Sequence, residues 1–126
     1  MLFIVYFNPY TVYATTNELP KCVVKTHCVR ESFKVNDLEN AFQKAIKIVS
    51  ETPRTQIVEQ TNYYIHAEAK TKWRRYTDDL LIKAIQEKGI IQVRSESRVG
   101  VGDNGVNQKR IDDFAYRLMN EPDISS

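Results

Sequence analysis

The chain has 126 residues, 42% of them hydrophobic and 27% charged, which suits one globular domain with a single core and excludes a disordered polymer. Eighteen basic residues against 16 acidic ones leave a net charge of +2, too balanced to mark a nucleic-acid binder by charge alone.

Met1–Phe7 (MLFIVYF) is a continuous apolar run, much too short to span a membrane. Val12-Tyr13-Ala14 then fits the small-x-small rule for cleavage of a secretory signal, although no basic segment precedes the apolar run. We expect residues 1–14 to be the remnant of an export signal, 15–122 a single globular domain, and 123–126 a tail. A first strand, or a hydrophobic arm docked on a partner, is the alternative for the opening residues. Cys22 and Cys28 follow, five residues apart, and in an exported chain such a pair forms one small disulfide loop. A zinc site built from both thiolates with His27 and His66 is the competing reading, but the spacing matches no common zinc pattern.

Arg30–Val35 reads as a strand. Asn36 has the chemistry of a helix cap, with Glu39 three residues on as in a capping box. Leu38, Ala41, Phe42, Ala45, Ile46 and Val49 recur at three and four and predict an amphipathic helix that stops at Pro53. Thr55–Gln60 reads as a strand, Thr61-Asn62 as a turn, and Tyr63–Lys70 as an alternating strand. That alternation puts Ile65, Ala67 and Ala69 on one face and Tyr64, His66 and Glu68 on the other, so His66 and Glu68 are expected on a solvent face. Trp73–Gln86 is long for one strand and suggests a kink near Asp78-Asp79. Glu87-Lys88-Gly89 makes a hairpin turn, and Ile90–Arg98 returns as its partner. On that strand Arg94, Glu96 and Arg98 form a charged ladder, which the hairpin sets near Asp78 and Asp79. A second amphipathic helix spans Val106–Met119, with Asp103 or Asn104 as its cap and Ile111, Phe114, Ala115 and Leu118 as its stripe.

Strands joined by hairpins imply an antiparallel sheet, and two amphipathic helices need one apolar sheet face to cover. The expected fold is therefore α+β: a two-layer sandwich with about five antiparallel strands under two helices, similar to a small helix-grip fold.

Arg94–Arg110 (RSESRVGVGDNGVNQKR) concentrates the polar chemistry of the chain. It packs three arginines, a glutamate, an aspartate, two asparagines, a lysine and three glycines between a strand and a helix. Three readings follow. In the first, Arg94, Arg98 and Arg110 pair internally with Glu68, Asp78, Asp79, Glu96 and Asp103, because a buried charge left alone costs several kcal/mol. In the second, the glycine loop and helix N-terminus receive an anionic ligand, with the arginines as bidentate donors. The candidate binding residues are then Asp78, Asp79, Arg94, Glu96, Arg98, Asp103, Asn107 and Arg110. In the third, Asp78, Asp79 and Asp103 hold a divalent cation, or His66 and Glu68 act as acid and base. No nucleophile elbow, metal signature or cofactor fingerprint supports that third reading, so no catalytic residue, metal or cofactor is assigned. Lys70, Lys72, Trp73, Arg74 and Arg75 form a basic run with an aromatic. It is read as an edge strand protected by charge, or as a contact for anionic lipid or an acidic membrane-protein surface, rather than for nucleic acid.

These residues carry a resemblance. Cys22, Cys28 and Val29, Pro53-Arg54, Tyr64–Glu68, Asp78-Asp79 and above all Arg94-Ser95-Glu96-Ser97-Arg98-Val99-Gly100, followed by Asp103, Gly105, Asn107 and Arg110, resemble the domain-of-unknown-function family 1499 of bacterial, cyanobacterial and plastid proteins. The likeness runs from Pro20 to Leu118; His27 departs from the family, which tends to have Asn before the second cysteine. The resemblance implies a periplasmic or thylakoid-lumenal setting and no established activity. The expected function is a non-catalytic binding or accessory module, beside a membrane protein complex or with an anionic ligand, exported and peripheral to the membrane, with no transmembrane helix in the mature chain. A small hydrolase or phosphate-handling enzyme using the Asp/Arg cluster is the alternative.

Overall fold

The computed structural model describes residues 18–99 and 104–124. The export-signal expectation for residues 1–14, the glycine-loop residues 100–102, Asp103 and the last two residues of the expected tail fall outside them. The elements are β1 (Cys28–Lys34), α1 (Leu38–Glu51), β2 (Thr55–Gln60), β3 (Tyr64–Lys70), β4 (Thr77–Ile85), β5 (Ile90–Ser97) and α2 (Val106–Asn120). Five strands make one sheet in the order β1-β5-β4-β3-β2, every pair antiparallel. With two helices on one face, this is the expected two-layer α+β arrangement.

Periodicity builds the core. One stripe of α1 sends Ala41, Phe42, Ala45, Ile48 and Val49 into the interior, and α2 adds Ile111, Phe114 and Leu118. They meet Ile65 and Ala67 of β3, Leu80 and Ile82 of β4, and Ile91 and Val93 of β5. Each large aliphatic or aromatic side chain buried there contributes about 1.5–3 kcal/mol.

Local chemistry moves four boundaries from their expected places. Asp37, not Asn36, caps α1, and its carboxylate accepts from the Asn40 amide at 3.1 Å. The kink foreseen near Asp78-Asp79 is absent, since β4 pairs there without interruption. The change of direction comes earlier. Arg75 adopts φ 54°, Thr71 N donates to Tyr76 O at 2.9 Å, and Trp73–Tyr76 becomes a hairpin connection instead of strand. Because β3 and β4 are both interior strands, the basic run ends β3 at Lys70 and continues on that connection, and does not lie on a sheet edge. The bulge lies instead in β2, where the pairing with β3 shifts between Ile57 and Glu59. Finally, Gly105 caps α2 with φ 80° and no side-chain cap bond, and Asn104 beside it has φ 52°.

The sheet face away from the helices departs furthest from expectation. Tyr64, His66, Asp79, Leu81, Lys83, Gln92 and Arg94 lie on it and are all buried. Part of its cover is the segment Glu18–Pro20. Leu19 packs on Tyr64 and Leu81, its amide donates to Gln92 Oε1 at 2.7 Å, and Arg94 Nε donates to Pro20 O at 2.9 Å. His66 and Glu68 were expected on a solvated face; His66 is in fact buried.

Candidate functional site

Successive residues of a strand face opposite ways. Asp78 and Asp79 open β4, so one carboxylate enters the helix side of the sheet and the other the far side. Each collects its own polar cluster.

On the helix side, Arg110 of α2 brings Nη1 to 2.7 Å from Asp78 Oδ2. The Asp78 carboxylate is fully buried, and its approach to Arg110 is an ion pair without hydrogen-bond alignment. The same guanidinium nitrogen donates to Ser95 Oγ at 3.0 Å and to Asn107 Oδ1 at 2.9 Å. Asn107 is wholly buried; its amide nitrogen donates to Ser97 Oγ at 3.0 Å and to His27 O at 3.1 Å, while Ser95 Oγ donates to its oxygen. One asparagine thereby ties the first turn of α2 to β5 and to the residue before Cys28. Cys22 and Cys28 are joined by a disulfide, so neither offers a thiolate to a metal.

On the far side, His66 Nε2 lies 2.7 Å from Asp79 Oδ1, and Arg98 reaches both oxygens of that carboxylate. Arg98 also donates to Glu68 at 2.6 Å. Burial pushes the Asp79 pKa up, but the bonds from Arg98 and His66 outweigh it and hold the carboxyl well below the usual carboxylate range. Its bonds to Asp79 and then Glu68 push the Arg98 pKa up. Further along this face, Arg94 Nη1 donates to Glu96 at 2.8 Å, and Gln92 Nε2 donates to Ser32 and Glu18. Burial lowers the pKa of Lys83, with Glu87 opposing it.

The structure therefore divides the candidate residues. Arg94, Glu96, Arg98 and Asp79 share the far face; Asp78, Asn107 and Arg110 share the helix face; Asp103 is outside the described residues. Asp78 and Asp79 are separated by their own strand and cannot chelate one cation. Sequence reading missed Gln92, Lys83, Ser95 and the His66–Asp79 contact. The available signal was the cross-strand register, which sets Lys83 opposite Gln92 and Asp79 opposite Glu96 in one polar row. Alternation alone labels such a row solvent-facing.

A groove of about 450 Å³ runs between the helices. Val49, Ala69, Leu80 and Phe114 give it an apolar floor, and Arg54, Lys70, Lys109, Arg110 and Arg117 a cationic rim against Glu51 and Asp113. Arg117 spans from α2 to Glu51 of α1 at 2.6 Å, and Lys109 pairs with Asp113. Arg54 and Lys70 are the rim cations that form no ion pair among the described residues. Among the described residues of the candidate set, Arg110 alone borders this groove.

The family model of DUF1499, proteins of unknown function, matches residues 13–118. The chain belongs to that family. No curated protein matches it. The match encloses both charge clusters of the DUF1499 chain, the disulfide and the groove. No helix among the described residues is long and apolar enough to cross a membrane.

Proposed function

We propose that this DUF1499 protein is a non-catalytic binding module that works outside the cytoplasm, in a periplasm or thylakoid lumen, as an accessory to a membrane protein complex. The observation that carries this reading is where the ionisable groups are spent. Arg94, Arg98 and Arg110 each end on a carboxylate of the same chain, and the clusters they form are divided by the sheet. An acid–base site would instead gather such groups around one concavity. What the concavity offers is an apolar floor, with Arg54 and Lys70 at its rim. That chemistry fits an anionic ligand with an apolar body, and its volume lies in the range of small-molecule sites. The Cys22–Cys28 disulfide supports an oxidising compartment.

A small hydrolase or phosphate-handling enzyme is the second reading, favoured by the 2.7 Å His66–Asp79 contact. Against it, Arg98 already occupies both oxygens of that aspartate. Calorimetry with dodecanoate as probe separates the two. Saturable heat that disappears in Val106→Phe, which adds bulk to the groove lining, supports the binding module. No heat, together with turnover of chromogenic phosphate or ester substrates that is lost in His66→Ala, supports the enzyme.

A further inference from the structure

The antiparallel register brings several connections to one end of the sheet. Cys28 opens β1 opposite Glu96 near the end of β5, Thr77 opens β4 opposite Lys70, and Thr55 opens β2 opposite Ala69. The loop closed by the disulfide, the α1–β2 turn and the β3–β4 connection therefore share one end of the sheet, with the exit of β5 between the first and the last of them. Together they cross a sheet about 20 Å wide.

Their composition is one-sided. Lys21 precedes the first and Lys25 lies on it, Arg54 lies on the second, and Lys70 ends β3 just before the third, which carries Lys72, Arg74 and Arg75, with no aspartate or glutamate in residues 20–28, 53–54 or 70–76. None of these seven cations forms an ion pair among the described residues, whereas Arg94, Arg98, Arg110 and Arg117 all do. The same end carries the two most exposed large apolar side chains among the described residues, Val23 at 88% and Trp73 at 86%, with Val24 beside Val23. Lys72 Nζ stands 5.3 Å from the centre of the Trp73 ring. Nothing in folding calls for an indole in water at the tip of a hairpin, since it buries no area there.

We propose that this end of the molecule docks on the surface of an anionic lipid membrane. Trp73 and Val23 enter the headgroup layer, where an indole finds both apolar and polar surroundings, and the flanking lysines and arginines meet lipid phosphates. The exposure of Trp73 and Val23 favours a bilayer over a protein partner, because a soft interface accepts a protruding side chain without a preformed pocket. Docking rests on the proposed function only for the setting beside a membrane, and it uses different side chains from the groove floor.

Trp73 is the one tryptophan of the chain, so indole fluorescence, excited beyond the tyrosine absorption band, reads this side chain alone. The oxidised full chain is titrated with phosphatidylglycerol/phosphatidylcholine vesicles and with phosphatidylcholine vesicles. The expected result is a blue shift and quenching by brominated acyl chains with the anionic vesicles, at least about tenfold tighter than with neutral ones. The shift should fade as salt rises from about 0.05 to 0.5 M, because such surface attraction is screened. Lys72→Glu with Arg74→Glu abolishes it, while Tyr116→Ala, on another surface, does not. The salt series on the unaltered chain needs no variant to fold. Unchanged emission with anionic vesicles, or an equal response to neutral ones, overturns the proposal; capture by an acidic membrane protein without vesicle binding overturns it in favour of a protein counterpart. Val106→Phe should leave the shift intact, so failure of the groove reading and failure of membrane docking give different results.

Discussion

The Arg98 guanidinium holds Asp79 by both carboxylate oxygens, Nε to Oδ2 at 2.9 Å and Nη2 to Oδ1 at 2.8 Å. Asp79 is buried while the Arg98 side chain is 47% exposed, so the pair is screened from one side only. The folded-state pKa of Asp79 lies below its unfolded value, near the ordinary 3.9. Its stabilisation is thus complete above that value and is lost as pH falls toward the folded pKa. We expect Asp79→Asn to lose about 2–3 kcal/mol at neutral pH, less than the roughly 3–5 kcal/mol for breaking a fully buried pair, because Arg98 is half in water. Urea melts from pH 7 to pH 2 should also show the gap between the two proteins closing below about pH 5. A constant gap across that window would mean that the carboxylate charge is not what holds Arg98.

Asn107 makes every bond of its amide inside the protein. Truncating it takes a partner from Ser95, Ser97 and Arg110, and leaves the His27 carbonyl with the Ser97 amide alone. Asn107→Ala should cost about 2–4 kcal/mol, seen as a lower urea midpoint with unchanged slope.

Reduction is expected to loosen the sheet end at β1. The disulfide closes a short loop, so its removal should cost about 2 kcal/mol. A thermal melt with dithiothreitol, or of Cys22→Ser with Cys28→Ser, should fall by roughly 6–10 °C. Since Asn107 holds the His27 carbonyl, the two effects should not be additive.

Gly105 caps α2 in the left-handed region with open space where a β-carbon would sit. Gly105→Ala should therefore cost only the backbone penalty, about 1 kcal/mol, while Asn104→Gly should be within about 0.5 kcal/mol of neutral. Chemical denaturation of both variants measures the difference.

Much of this architecture is legible in the residues. The three–four spacing from Leu38 to Val49, the Gly89 turn and the hairpin of β4 with β5 follow from local physics, because each is decided by neighbours in sequence. The resemblance to DUF1499 is borne out by the family model over residues 13–118. His66 was not, because alternation says only that a side chain leaves the apolar face, not whether another layer waits on the far side. The Trp73–Tyr76 turn escaped for a related reason: its aromatic and cationic residues suit a strand, and the left-handed position that leads into β4 is held by Arg75, with no glycine or proline to announce it. The candidate site was readable as a list of arginines and carboxylates, yet its division into two clusters depends on which face each strand position takes, and that needs the pairing.

That division has a consequence for how the sheet assembles. If β4 slipped by one residue against its neighbours, each aspartate would be carried through to the wrong side, losing Arg110 and Arg98 in one move. Two adjacent carboxylates answered from opposite sides work as a key cut on both edges, which admits the strand in a single alignment.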